Sequence, residues 1–283
     1  MVGPSIAGAA DQTSVQVTVC AKTSAHPVRS CTYTTISAAL AAASSGEVIT
    51  LKAGKYSGGF IISTPVTIRG AGQGVTTISG GGKQMRPVVE VNANPVTVSG
   101  VTISGATVPS TGGSGYGGGV LTEPGALLNL GFSYVEDNQD NHGAGGGGIS
   151  SLGTTDCTRC NIVDNASHGR LDQAGGVHVG GRGIVHMTGG SVKANVAGWG
   201  GGFDVDSGGS LTITGGQISD NTANQGGGIM DNGAATLNSS KVVHNVAKGG
   251  IGYGGGIFVT DGSTTTLDST PVTNNKTDNF VRA

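Results

Sequence analysis

The chain has 283 residues, of which 55 are glycine and only 11% are charged, and its net charge at neutral pH is −2. It has no run of Lys or Arg, so nucleic acid is a poor candidate as a partner. No apolar run approaches the roughly 18 residues that a membrane-spanning helix needs, so no membrane span is predicted. The glycines follow no collagen period, which indicates that they serve turns.

The first residues carry few structural signals. Met1 to Asp11 lack a charged start followed by an apolar run, so no signal peptide is predicted, and residues 1–14 are expected to be flexible. Residues 15–46 are predicted to hold one strand, in which Val15, Val17 and Val19 alternate with polar residues, and one Ala-rich helix with a Thr N-cap and a stop at Gly46. Such a helix would cover the open end of the structure that follows.

The segment after the helix contains short strand patterns of irregular spacing. The predicted strands are Val48–Leu51, Phe60–Ile62, Val66–Arg69, Val88–Val91, Val96–Ser99 and Val101–Ile103.

From about residue 115 the chain repeats itself. Two or three glycines are followed by a branched or aromatic residue at steps of 29, 28, 26, 26 and 28 residues, at Val120, Ile149, Val177, Phe203, Ile229 and Ile257. An apolar residue three places before an Asn recurs in the same phase, with the Asn at 138, 165, 195, 221, 245 and 275. Two markers in fixed phase over six units indicate a repeat architecture.

The periodicity inside each unit is that of strands. Eight residues before each Asn stands an apolar residue, and the position preceding it is always polar: the apolar set is Leu130, Cys157, Met187, Ile213, Leu237 and Leu267. A unit of this length cannot bury its own apolar face, but stacked units about 4.8 Å apart would form a continuous core. We therefore predict an all-β, single-stranded parallel β-helix over residues 47–276, with an Asn ladder at one corner and a C-terminal tail at 277–283.

These motifs resemble known repeats. The pattern GG[GA][ILV] with hydrophobic-x-x-Asn, over residues 115–275, resembles the repeats of right-handed parallel β-helix proteins, including bacterial polymorphic outer-membrane adhesins. The segment from Tyr33 to Leu40, with Gly46–Leu51 and Gly54–Tyr56, resembles the N-terminal entry of secreted bacterial β-helix proteins. The resemblance implies a right-handed coil and a secreted or cell-surface protein. It is silent on activity, because pectinases, lyases, epimerases, adhesins and ice-binding proteins share this architecture.

The four cysteines form two pairs, Cys20/Cys31 and Cys157/Cys160. A Cys-x-x-Cys could indicate redox chemistry or half a zinc site, but Cys157 occupies the apolar column and no second such motif exists. We favour two local disulfides, or one disulfide and a buried thiol pair, and predict no metal and no cofactor.

The strand after each glycine run offers the candidate site. Its outward positions are predicted to bring His178, Asp204 and Asp206 together on an exposed face, with the two carboxylates pointing the same way and His178 hydrogen-bonded to Asp204 from one coil below. Paired carboxyl groups at this spacing suit the acid and base of a glycoside hydrolase. We predict these three as catalytic residues.

Substrate-binding residues are predicted beside them. One set lies four places before the marker, where aromatic rings alternate with amides: Tyr116, Gln173, Trp199, Gln225 and Tyr253. A second set lies in the long loops: His142, His168, Arg170 and Asp172. The Asp-Asp pair and Arg-x-Lys of polygalacturonase-type β-helix enzymes are absent, as are calcium-binding carboxylates of the pectate-lyase type, which argues against an ordinary pectinase but not against a sugar substrate.

Three functions remain open at this point. The first is a secreted carbohydrate-active enzyme, a glycoside hydrolase or polysaccharide lyase, whose partner is an oligo- or polysaccharide. The second is a non-catalytic surface or adhesive module. The third is an ice-binding protein, for which outward pairs such as Thr212-x-Thr214 form a partial array. The sequence leaves the oligomeric state undetermined.

Overall fold

Short strands separated by glycine-rich corners build an all-β parallel solenoid. A computed structural model describes residues 16–19, 32–110, 117–169 and 173–283. All strand pairs are parallel, and the described strands form three long sheets and one pair. The predicted parallel β-helix is confirmed.

The ten-stranded sheet contains, in order along the axis, Gln16–Val19, Val48–Leu51, Thr67–Arg69, Val96–Ser99, Leu127–Gly131, Thr154–Thr158, Ile184–Thr188, Ser210–Thr214, Ala234–Asn238 and Thr264–Asp268. The nine-stranded sheet contains Phe60–Ile62, Val89–Val91, Val120–Thr122, Ile149–Ser151, Val177–Val179, Phe203–Val205, Ile229–Asp231, Ile257–Val259 and Phe280–Arg282. The eleven-stranded sheet contains Gly54–Ser57, Thr76–Lys83, Thr102–Val108, Tyr134–Glu136, Gln139–Asp140, Asn161–Val163, Ala166–Ser167, Ser191–Lys193, Gln217–Ser219, Lys241–Val243 and Val272–Thr273. Thr222–Ala223 and Val246–Ala247 form the remaining pair.

The strand register places repeat positions directly above one another. Leu130 pairs with Cys157, Cys157 with Met187, and Met187 with Ile213, so the apolar column read from the sequence lies on one line inside the solenoid. The inward residues of all three sheets form a single buried cluster. This core supplies the apolar burial that a single coil could not achieve alone.

The Asn column forms the predicted ladder. The Asn138 side chain donates to Oδ1 of Asn165, and the same contact repeats through Asn195, Asn221 and Asn245 to Asn275, at N···O distances of 2.9–3.1 Å. Each Oδ1 also accepts the backbone N–H of the Asn below it. The side chains thus satisfy the backbone at the corner, where the strand ladder is interrupted.

The residue before each ladder Asn adopts a left-handed conformation. The φ values lie between 53° and 59° at Asp137, Asp164, Ala194, Asp220, His244 and Asn274. Asp and Asn tolerate this region better than other L residues, which explains why they occupy most of these corners.

The first end of the solenoid carries the predicted helix. It spans Ile36–Ala42, and the Thr35 Oγ1 accepts the N–H of Ala38 as an N-cap. Ile36 and Ala39 are buried within the core cluster. No helix among the described residues is long and apolar enough to cross a membrane.

The other end differs from the expectation of a tail. Phe280–Arg282 pairs in parallel with Ile257–Val259 and adds a last strand to the nine-stranded sheet. The flexible N-terminus expected at 1–14 lies outside the described residues.

The cysteines that the structure describes carry no disulfide. Cys157 and Cys160 are buried free thiols, and the Cys160 thiol donates to the carbonyl oxygen of Leu130 at 3.3 Å. A disulfide between them, one of our two alternatives, is not seen; the buried thiol pair is. Cys20 and Cys31 lie outside the described residues.

The ladder predicts a specific loss of stability. In Asn221→Ala, the backbone N–H and side-chain amide of Asn195 both lose their acceptor in a buried site. Each unsatisfied donor costs about 1–3 kcal/mol, so we expect the free energy of unfolding, measured by urea titration, to fall by at least about 2 kcal/mol. Asn224→Ala, an exposed Asn three residues away, is the matched control and should change stability little. Equal unfolding midpoints for the two variants would contradict a stabilising ladder.

Candidate functional site

The outer face of the nine-stranded sheet presents two neighbouring columns of side chains. In the strand Phe203–Val205, Phe203 and Val205 belong to the core cluster, so Asp204 points outward between them, and Asp206 follows as the next outward residue. The register places His178 beside Asp204, and Ser150 and Met230 continue that column on either side. The three predicted catalytic residues therefore lie together, as the repeat spacing indicated.

His178 contacts a different carboxylate from the one we expected. Its Nε2 lies 3.1 Å from Oδ2 of Asp206, and Gln173 Nε2 donates to the other oxygen of Asp206 at 3.4 Å. The prediction of a His178–Asp204 hydrogen bond is wrong: the register places the two residues side by side, but the imidazole turns towards Asp206. The Nδ1 atom of His178 is buried and has no hydrogen-bond partner among the described residues.

The face is also less exposed than we expected. Asp204 and His178 are each only 2% exposed, whereas the Asp206 side chain is 34% exposed. Stacked strands stand about 4.8 Å apart, so the large neighbours His178 and Met230 cover Asp204 from both sides. The sequence shows which residues are neighbours but not how far they cover one another.

Burial changes the protonation of Asp204. Loss of solvation raises its pKa to about 7; the charge of His178 opposes this shift, and the carboxylate of Asp206 adds to it. Asn232 Nδ2 approaches Oδ1 of Asp204 at 3.5 Å. Asp204 is therefore a carboxyl group that keeps its proton near neutral pH. It lies next to the more exposed carboxyl group of Asp206, which contacts His178 and Gln173.

The aromatic and amide column flanks this pair. Trp199 and Gln225 form a parallel bridge, and the N–H of Gly226 donates to the carbonyl of Tyr253 in the next coil. Trp199 and Tyr253 are 43% and 39% exposed, as surface rings should be. Gln173 reaches from this column to Asp206, which connects the two parts of the site. Tyr116 lies outside the described residues.

The described residues of the long loops lie apart from this pair. His168 lines a cleft of about 700 Å³ with Lys83 and Asn141, and none of the three candidate catalytic residues lines it. The N–H of His142 donates to the buried Asp140 carboxyl at 3.0 Å, a contact that orders the loop. Arg170 and Asp172 lie outside the described residues. The structure does not bring His142 or His168 into contact with the Asp204–Asp206 pair.

One residue of the site was not selected from the sequence. Asn232 contacts Asp204, and its position one coil above Asp206 in the same column was readable from the repeat. The described residues contain no group of three or more His, Cys, Asp or Glu side chains arranged to hold a metal ion.

The array considered for ice binding lies on the ten-stranded sheet. Thr212, Thr236 and Thr266 are in register on its outer face, but the adjoining coils carry His186 and Asp156, joined by a hydrogen bond of 2.8 Å. The regular threonine pattern thus covers three coils, and ice binding stays a prediction.

Comparisons with known proteins support the architecture. The chain matches no protein-family model and no curated protein sequence. Among solved structures it is similar to a pectin methylesterase in complex with a hexasaccharide, with a TM-score of 0.54, 11% identity and coverage of 95% of this chain and 93% of the other. It is also similar to pectin methylesterase PemA from Erwinia chrysanthemi, with a TM-score of 0.51, 11% identity and coverage of 94% and 92%. A mutant pectin methylesterase bound to a hexasaccharide gives a TM-score of 0.53 at 12% identity, with coverage of 95% and 93%. At such identities the likeness establishes the class of fold, a parallel β-helix.

The raised pKa of Asp204 predicts how stability depends on pH. Because the folded state holds this proton more tightly than the unfolded state, the contribution of Asp204 to stability is fully present below its ordinary value of 3.8. That contribution is lost as the pH rises to about 7. Asp204→Asn removes this loss, so its stability relative to the wild type should rise by about 3 kcal/mol between about pH 5 and pH 8.

The measurement is urea unfolding of both proteins across that pH range. Asp261→Asn, at an exposed Asp in a turn of the same solenoid, serves as the matched control. A difference between Asp204→Asn and the wild type that does not change with pH would show that Asp204 titrates as an ordinary carboxyl.

Proposed function

We propose that the protein is a carbohydrate-active enzyme that acts on an oligo- or polysaccharide lying along the outer face of the nine-stranded sheet. The observation that carries the proposal is the pair of neighbouring carboxyl groups in different environments, one buried and one half-exposed. Environments that separate the pKa values of two carboxyl groups are how enzymes assign an acid and a base at the same pH.

The geometry suggests a role for each residue. Asp204, whose pKa burial raises to about 7, would donate a proton to the leaving oxygen as general acid. Asp206 is accessible, and His178 and Gln173 orient its two oxygens, so it would activate a water or attack the sugar directly. Together they support hydrolysis of a bond in a sugar chain.

The flanking column suits the substrate. Trp199 and Tyr253 are two coils apart, with Gln225 between them, so their exposed rings line the direction in which the coils stack. Sugar rings place an apolar face on such side chains and hydrogen-bond at their rim. Two of the similar structures, both pectin methylesterases, are complexes with hexasaccharides, which is consistent with a sugar chain as the partner.

The bond that is cleaved can be a glycosidic or an ester bond. The sequence favoured a glycoside hydrolase or a polysaccharide lyase, whereas the similar structures are esterases by name. An acid and base pair serves either hydrolysis, so the experiment must separate the products.

A second candidate is the non-catalytic surface or adhesive module. The burial of Asp204 and His178 favours it, because a polymer resting on this conformation would contact Asp206, Trp199 and Tyr253 but not the two buried groups.

A polysaccharide panel tests the proposal. Three products are measured: new reducing ends, the ultraviolet absorbance of unsaturated sugars, and released methanol or acetate. We expect turnover on at least one polymer, with kcat at least about a hundredfold lower in Asp206→Asn and in Asp204→Asn. Asp261→Asn should retain wild-type turnover. Full activity in both site variants would remove this face from the mechanism, and binding without turnover that Trp199→Ala abolishes would favour the adhesive module.

The pH profile of the active protein tests the role of Asp204 separately. A general acid works only while protonated, so kcat should be retained below about pH 7 and fall as the pH rises through the pKa of Asp204. The test is a kcat profile from acid to mildly alkaline pH on the polymer that the panel identifies. A rate that rises through neutrality instead would exclude Asp204 as the proton donor.

A further inference from the structure

The charged side chains of the two outward columns of the proposed substrate face are predominantly acidic. Its first outward column contains, in register, Ile61, Glu90, Leu121, Ser150, His178, Asp204, Met230, Phe258 and Val281. Its second contains Asn92, Glu123, Leu152, Gly180, Asp206, Asn232, Thr260 and Ala283, each donating its N–H to the coil before. The two columns hold four carboxyl groups and neither a Lys nor an Arg.

The acidic groups influence one another. Burial raises the pKa of Glu123, and the carboxylate of Glu90 raises it further, so the two charges repel across the face. Arg86 lies 3.8 Å from Glu90 and offsets that one charge. Glu123, Asp204 and Asp206 have no Lys or Arg partner in a salt bridge among the described residues.

We infer that the sugar chain bound by this face carries no free carboxylates: it is a neutral glycan, or a uronate chain whose carboxyl groups are esterified. The inference rests on the proposed function and adds its substrate class. Glu123 and Asp206 are three coils apart in one column, about 14 Å, so a chain along the axis would pass both. A free carboxylate of a polyuronate that lies next to Glu123 or Asp206 would meet a charge of its own sign at short range.

The exposed aromatic rings also fit an uncharged ligand. The exposed rings of Trp199 and Tyr253 bind through apolar contact and need no charge on the sugar.

Matched polymer pairs test the inference. Binding of the intact protein is measured by affinity electrophoresis and calorimetry at low salt and mildly alkaline pH. The pairs are highly methylesterified against de-esterified homogalacturonan, and hydroxyethylcellulose against carboxymethylcellulose. We expect the neutral member of at least one pair to bind about tenfold more tightly than its anionic partner. Added salt should reduce this difference in affinity, because it screens the repulsion.

A charge reversal supplies the control. Glu123→Lys should raise the affinity for the anionic member severalfold, whereas Glu136→Lys, at a half-buried acid on the eleven-stranded sheet, should leave it unchanged. Equal or tighter binding of the anionic polymers by the wild type, or binding of no neutral polymer, would overturn the inference. Turnover of a polyuronate with free carboxylates, such as de-esterified homogalacturonan, that depends on Asp206 would overturn the inference and leave the enzyme proposal intact. Tighter binding of the neutral polymers without turnover of any polymer would contradict the enzyme proposal and leave the inference intact.

Discussion

Hydrogen bonds that run along the solenoid axis hold every coil one strand spacing from the next, and the remaining features depend on that constraint. In the sheets the backbone supplies these bonds. At the corner where the strands break, the Asn side chains replace them, each amide donating to the next Asn and each Oδ1 accepting a backbone N–H. The ladder fixes the register at this corner, where the residue before each Asn adopts a left-handed conformation. Loops of different length can therefore be inserted elsewhere without shifting the stack.

Because the register is fixed, the surroundings of each residue depend on the residues directly above and below it in the same column. Leu237 is fully buried, while Leu267, one coil later in the same column, is 38% exposed, because no further strand of the ten-stranded sheet covers it within the described residues. The same effect acts outside the core. Asp204 faces outward, yet its neighbours His178 and Met230 exclude water from it, which raises its pKa. Its chemistry is thus set largely by residues 26 positions away on each side.

This dependence separates what the sequence could predict from what it could not. The strands Val48–Leu51, Phe60–Ile62 and Val96–Ser99 have the predicted bounds, and the Asn ladder follows from spacing alone. The neighbours of His178 could also be read from the repeat. The direction in which its imidazole turns could not, because both Asp204 and Asp206 lie within reach and side-chain packing decides between them. The burial of Asp204 was not predicted for the same reason. The alternation of residues shows which side chains point outward, but it does not show how far neighbouring side chains shield them from solvent.

In a repeat protein, each residue can be compared with the residues at the same position in the other coils, and one that differs in kind needs a physical explanation. The column that holds Asp204 contains three buried apolar residues, Leu121, Met230 and Phe258, so apolar side chains can pack at this position. Placing a His and an Asp in adjacent coils of that column leaves a buried nitrogen without a partner and a carboxyl group whose pKa burial raises to about 7. Both are energetically costly, and apolar residues would avoid the cost. Local departures from a pattern that would otherwise stabilise the fold are expected at functional positions. Here both departures adjoin the carboxyl group of Asp206 and the column of exposed rings. The coils Val177–Val179 and Phe203–Val205 are therefore where we expect stability to be lost in favour of the proposed function.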